Sequence, residues 1–367
     1  MLIHLANASA QLQQMVARFS GVRLATPEDA EALAQFINET AMSAGHLRVG
    51  FTRGSDYFAL LRLQAEKFAA LVCEDQGRIV GVGALTVRTC YVRGQRARLG
   101  YFQDLRVLPA APHRTRQNFY NCFAEFVKVC PQLEDFDNCS LFITAILDQN
   151  TPAKASLSRQ SFPLEYTRLT HYNAHLWPKI PFAKLLSNNG SLSSPNFTDI
   201  LAFYQENLGR FAFDLTIEDL QRLKEHVTPV VIKENNRIVA SCLLAQTENE
   251  RQLHAEQDQF KINFNSTGTY ITAFRISKAI PAEQSKLVRR KLLTKALLES
   301  CKLPGLFTGY IEAENEPSNL SLLQRITSYQ IQGSLYRVFH PEHAALPGFS
   351  KGFLRPSHVP YFDWIFS

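Results

Sequence analysis

Two arginines separated by one residue, Arg114 and Arg116, stand where an apolar strand gives way to an amphipathic helix. A helix N terminus offers unpaired N–H groups and the positive end of the helix dipole, so anions collect there. Guanidinium groups beside it add charge-assisted hydrogen bonds, and the pair reads as a phosphate site. The competing reading is two solvated arginines opening a surface helix. Upstream, Asp104 lies within the strand, where partial burial would raise a carboxyl toward the range of a general base. A strand Asp serves equally well as a structural hydrogen-bond acceptor. Tyr101 adds a nearby hydroxyl, although Tyr270 in a matching context points to packing for both. His46, His113 and His171 lack metal-ligand spacing, and no metal is expected. The seven cysteines (Cys73, Cys90, Cys122, Cys130, Cys139, Cys242, Cys301) form no Cys-x-x-Cys pair and read as buried, reduced thiols.

These residues need a scaffold, and the pattern supplies one. A short strand over 22–25 leads to Thr26-Pro-Glu-Asp29, an N-cap with Pro just inside a helix over about 27–40. Tyr57, Leu60, Leu61 and Leu63 share one face of a second helix, about 56–66. Strands follow over 68–74, 78–87 and 96–108, the first two joined by a turn at Gln76-Gly77. Then come a helix over about 116–130, a strand over 141–147, a short helix over 152–159 and a strand over 166–176. The order β-α-α-β-β-β-α-β-α-β is a mixed α/β (α+β) unit.

The same plan recurs. Val230-Val-Ile-Lys-Glu-Asn-Asn-Arg-Ile-Val239 parallels Leu71-Val-Cys-Glu-Asp-Gln-Gly-Arg-Ile-Val80. Tyr270-Ile-Thr-Ala-Phe-Arg-Ile276 parallels Tyr101-Phe-Gln-Asp-Leu-Arg-Val107, and each runs through a Pro-containing loop into a basic helix. Glu314-Asn-Glu-Pro317 parallels Gln149-Asn-Thr-Pro152, with Leu322 and Leu157 equally far past the Asn. Three matches in one order favour duplication. The expected organisation is a helical extension (1–20), a first domain (21–177), a Pro/Ser/Asn-rich linker (178–195), a second, more degenerate domain (196–341) and an aromatic tail (342–367). That tail would be costly to expose and is expected to pack on the chain or a partner.

Strand, anion-binding loop, helix, strand, Asn and short helix in this order resemble the GNAT N-acetyltransferase superfamily. The resemblance spans about 22–177 and, more faintly, 197–340. Its most specific pieces are Tyr101–Val107 leading to Pro109, Arg114-Thr-Arg116, and Asn150 with Ala153 and Phe162. It implies two tandem GNAT-like domains, each a mixed, mostly antiparallel twisted sheet flanked by helices. It also implies acetyl-CoA as co-substrate, with the backbone of Leu105, Arg106 and Val107 pairing with the pantetheine arm. The loop and helix start, with Arg114, Thr115, Arg116, Gln117 and Asn118, would hold the pyrophosphate, and Asn150 would complete the cofactor site. Asp104 and Tyr101 are the catalytic candidates. An amine would enter past the first two helices, where Arg53, Asp56 and Tyr57 line a cleft, unless Ser55 simply caps the next helix.

The sequence departs from the family in two places. Aligned on Arg114, Gln117 and Phe119 occupy the glycine positions of the phosphate loop. Leu157 and Leu322 stand where many members carry an acidic Tyr. Asp104 has Ala273 as its counterpart, which favours the first half as the active one. The expected function is acyl-CoA-dependent N-acyl transfer to a small-molecule or peptide amine. Two alternatives are a non-catalytic acyl-CoA-binding protein and a tRNA-dependent aminoacyl transferase. A 46% hydrophobic, 20% charged composition supports ordinary cores. The net charge of +6 suits an anionic cofactor, while no Lys/Arg run marks a nucleic-acid partner. No stretch reaches the ~18 apolar residues of a membrane span. A cytoplasmic protein is expected, with a homodimer left open.

Overall fold

The computed structural model describes residues 8–40, 42–44, 47–92, 94–157, 163–179, 195–209, 213–246, 252–257, 262–313, 320 and 328–343. Phe162, the 314–317 segment, Leu322 and the tail beyond 343 lie outside them. Helix α1 (Ala10–Ala17) is capped by Ser9 and buries Leu12, Met15 and Val16. Strand β1 (Val22–Leu24) leads into the expected capping box, in which the Thr26 amide donates to Asp29 at 2.7 Å. A 3₁₀ turn over Pro27–Asp29 precedes α2 (Ala30–Glu39), whose inner face is Leu33, Ala34, Phe36 and Ile37. Between it and α3 (Phe58–Gln64) run two strands with no signal in the sequence reading, β2 (Met42–Ala44) and β3 (Leu47–Thr52).

Then come β4 (Lys67–Asp75), β5 (Arg78–Val92), β6 (Gln95–Val107), α4 (His113–Val129), β7 (Leu141–Leu147), α5 (Thr151–Leu157) and β8 (Glu165–Pro178). The second half repeats the series with α6 (Phe197–Asn207), α7 (Ile217–Leu223), β9 (Val227–Glu234) and β10 (Arg237–Gln246). It continues through β11 (Gln252–Gln257), β12 (Ile262–Ser266), β13 (Gly268–Ile276), α8 (Ala282–Ser300), β14 (Phe307–Ala313) and β15 (Tyr329–Phe339). Asn196 and Thr216 cap α6 and α7, the latter through a capping box with Asp219.

The two halves share one sheet of 11 strands, ordered β1-β4-β5-β6-β7-β15-β8-β14-β13-β10-β9. Among the described residues, only β6/β7 and β13/β14 are parallel pairs within it. The last strand of each half is exchanged: β15 lies along β7, and β8 along β14. A second sheet, β12-β11-β3-β2, also takes strands from both halves. Helix α4 covers the first half with Phe119, Phe123, Phe126 and Val127, and α8 covers the second with Val288, Leu292, Leu293 and Ala296. The halves are further tied by Arg88, which donates to the Phe213 carbonyl at 2.7 Å and pairs with buried Asp219 at 3.3 Å.

Candidate acyl-CoA site

The centre of β6 is bulged. Asp104 has φ +56°, and the β5/β6 register slips between Val82 and Ala84, opposite Arg106 and Gln103. The second half has the same bulge at the same place. Ala273 has φ +52°, and the β10/β13 register slips opposite Arg275 and Thr272. Asp tolerates the left-handed region because its short polar chain bonds locally. Ala does not, and in the second half the Tyr204 hydroxyl, donating to the Ala273 carbonyl, helps to hold it.

A bulge bends its strand and ends regular pairing. Strands β6 and β7 pair only from Leu99–Phe102 to Leu141–Thr144, and the Thr144 hydroxyl donates to the Phe102 carbonyl at 2.9 Å where they part. From Asp104 to Val107 the two strands diverge, leaving a wedge with a backbone edge along Leu105, Arg106 and Val107. The β13/β14 pair likewise stops at Tyr270 and Gly309. Matched residues differ, however. Leu105 and Thr144 flank the first wedge; Phe274 and Tyr310 hold those positions in the second, with ring centroids 5.8 Å apart across it. The first wedge carries no aromatic ring at these two positions, whereas the second carries two.

Strand β6 runs on through residues 108–112 to α4. This helix starts at His113, earlier than its hydrophobic pattern suggests, with Pro112 as N-cap and no side chain satisfying its first amides. The amides of His113, Arg114 and Thr115 have no intrahelical acceptor; that of Arg116 reaches the Pro112 carbonyl at 3.0 Å. Arg114 is exposed, and Arg116 is half-buried with its Nε out of contact with any acceptor. Gln117 and Phe119 therefore sit within the helix, and Phe119 is fully buried in the core. The amides exposed to an anion are those of 113–115, so glycine is not needed at 117 or 119 for phosphate to approach. At the second wedge, Glu283 enters the first turn of α8 and sets a negative charge where the first half has arginines.

The remaining candidates divide. Asn118 donates to the Ser20 carbonyl at 3.1 Å, and Asn150 caps α5 by accepting from the Ala153 amide at 3.2 Å. Tyr101 packs in the apolar cluster that includes Leu99, Ile143 and Leu335. Asp56 turns from the cleft to accept from the Phe58 amide at 2.9 Å and pair with Arg62, so Asp56 rather than Ser55 starts α3. Arg53 and Tyr57, by contrast, converge on the bulge. Arg53 Nη2 donates to Asp104 Oδ2 at 2.8 Å, and the Tyr57 hydroxyl donates to the same oxygen at 3.2 Å. Arg106 Nη2 lies 4.0 Å from Asp104 Oδ1 and its Nη1 donates to the carbonyls of Ile37, at 3.0 Å, and Thr40.

The electrostatics follow from that burial. Burial works against the Arg53 charge, but Asp104 more than offsets it and holds the guanidinium above its ordinary value. Burial pushes Arg106 below its ordinary value; Asp104 opposes this and the like charge of Arg53 adds to it. Burial, followed by Asp104, drives the Tyr57 hydroxyl well up, so it stays protonated as a donor. Burial also lifts the thiols of Cys90, Cys122 and Cys139 to about 12, which removes them as nucleophiles at neutral pH. The side-chain role of Arg106 escaped the sequence reading. The Leu105/Phe274 contrast is readable within the matched segments Tyr101–Val107 and Tyr270–Ile276; the Thr144/Tyr310 contrast needs the sheet register.

No protein-family model and no curated protein matches the sequence. Among solved structures, the chain is similar to GCN5-related N-acyltransferases in fold. Saccharomyces cerevisiae N-myristoyltransferase with bound myristoyl-CoA aligns at TM-score 0.58 and 10% identity, over 98% of this chain and 87% of that one. The GCN5-related glucosamine N-acetyltransferase region of a fungal multi-domain GH3 β-N-acetylglucosaminidase aligns at TM-score 0.52 and 14% identity. That match covers 87% of this chain and 38% of the longer enzyme. At such identities the likeness establishes the fold, a double GNAT fold with two bulged wedges. No helix among the described residues is long and apolar enough to cross a membrane.

Proposed function

We propose that the chain is an acyl-CoA-dependent N-acyltransferase that uses acetyl-CoA in its first half. The observation that carries this is the β6/β7 wedge, without aromatic rings at 105 and 144, leading to an arginine-bearing helix start. The second wedge has Phe274 and Tyr310 at those positions, and its helix start, equally without a side-chain cap, has Glu283 in the first turn. The pantetheine arm adds to the edge of Leu105–Val107 as an extra strand, a mode in which main-chain hydrogen bonds supply affinity. The pyrophosphate sits on the amides of 113–115 with Arg114 and Arg116. Beyond the bulge, Phe102 packs on Phe123 at 4.7 Å and on Phe142 at 5.2 Å, filling the wedge's inner end and favouring a short acyl group.

The amine arrives from the Arg53 side. Its lone pair attacks the thioester carbon, the C–S bond breaks, CoA leaves as thiolate, and the proton shed by the nitrogen passes to that thiolate or to water. Asp104, already matched by Arg53, holds the bulge and orients its surroundings; the amine enters in its neutral form. Asp104→Asn is therefore expected to lower kcat/KM while its rise with pH, set by the amine, persists. A flattened pH profile would make Asp104 the base instead.

Release of CoA thiol from acetyl-CoA in the presence of an amine panel tests the proposal. Turnover with at least one amine is expected; binding without turnover on a broad panel would make the chain an acyl-CoA-binding protein. Arg114→Ala with Arg116→Ala should raise the KM for acetyl-CoA about 10- to 100-fold, and less at high salt, since two charge-assisted contacts are lost. An unchanged KM would put the phosphates elsewhere.

A further inference from the structure

Among the described residues, the bulge carries more positive charge than its neighbours neutralise. Arg53 and Arg106 share one carboxylate, Asp104, which leaves one positive charge in a cluster whose side chains are 3%, 10% and 9% exposed respectively. Three guanidinium nitrogens there, Arg53 Nε, Arg53 Nη1 and Arg106 Nε, are buried without a hydrogen-bond acceptor among the described residues. Leaving a buried donor unmet costs the full desolvation of that group, more when it is charged. The second half shows the balanced version: Arg275, the counterpart of Arg106, pairs with Asp214, which is wholly buried. Arg53 and Arg106 thus present an unmatched charge beside the bulge, on the side from which the amine arrives.

We infer that the acceptor carries a carboxylate beside its reacting nitrogen, and that Arg53 and Arg106 bind it. This rests on the acyl-transfer reading and names its substrate class: a small amino acid whose carboxylate completes the cluster while its amine faces the thioester. A planar guanidinium fork matches a carboxylate in two parallel hydrogen bonds, which fixes orientation as well as position. The residual exposure at Arg106 and Asp104 marks the side on which the carboxylate enters.

The test uses the full chain in two arms. Calorimetry without CoA compares glycine, β-alanine, glutamate and phenylalanine with their own amides. Acetyl transfer to the same pairs is then followed by thiol release. At least one acid is expected to bind, and to be acetylated, about ten-fold or more better than its amide, because only the acid offers a charge-assisted pair. Arg106→Gln should erase that preference, whereas Arg106→Lys, which keeps the charge, should retain part of it. Acetylation of acids and amides at equal rates would overturn the inference while leaving acyl transfer standing. Preferred binding of acids with no acetyl transfer would support the anion site and remove the acyl-transfer reading. Acetate or inorganic phosphate binding as tightly as every amino acid would show a simple anion site and overturn an amine acceptor.

Discussion

Leu105→Phe combined with Thr144→Tyr is expected to lower acetyl-CoA affinity by about 10- to 1,000-fold, as judged from two or three lost main-chain hydrogen bonds at about 0.5–1.5 kcal/mol each. The pair copies into the first wedge the rings that fill the second, where Phe274 and Tyr310 lie 5.8 Å apart. Leu105 already packs toward Gly83, its Cδ1 3.1 Å from where a Cβ on that glycine would stand, so the larger ring must turn into the wedge. The sheet should survive, because the second half folds with the same rings in the same register; overpacking should cost no more than about 1–3 kcal/mol. Calorimetric titration gives the affinity and a denaturant midpoint gives the stability. Undiminished binding in a folded double variant would place the cofactor outside this wedge.

The other large effect falls on stability. Arg53→Met leaves the Asp104 carboxylate without its 2.8 Å partner inside a site where it is 9% exposed. Removing one member of a buried ion pair typically costs about 3–5 kcal/mol, and the lower end is expected because Arg106, 4.0 Å away, and the Tyr57 hydroxyl still face the carboxylate. Adding Asp104→Asn to Arg53→Met should recover only part of that loss: Asn accepts the left-handed conformation and carries no charge, but Arg106 then loses the carboxylate it shares. Urea midpoints of the single and double variants decide the matter. A single variant as stable as the parent would mean that the pair does not hold the bulge. Acetyl-CoA binding should fall with stability in the single variant and return in part in the double, because the bulge keeps the β6 edge free.

The elements that carry the site were legible because local chemistry dictates them. The capping box at Thr26 and Asp29, the hairpin between β4 and β5 and the repeat of Arg-Ile-Val in both halves can be read without tertiary information. The start of α4 was misplaced because the segment before Arg116 has no apolar period, while its true start is set by Pro112. The strand exchange left no trace: β8 reads as an ordinary closing strand, and its partners β14 and β15 lie far away in sequence. Arg53 and Tyr57 were chosen for their types, but their meeting with Asp104 depends on a bulge that an Asp in an apolar strand only hints at. In the second half Ala273 gives no such hint, and only the register reveals the bulge.

A crystal structure of the full chain with acetyl-CoA tests the central claim most directly. The account predicts one cofactor, its pantetheine arm hydrogen-bonded along Leu105–Val107 and its pyrophosphate on the amides of His113, Arg114 and Thr115. A cofactor bound between β13 and β14, or a chain that saturating acetyl-CoA leaves empty, would contradict it.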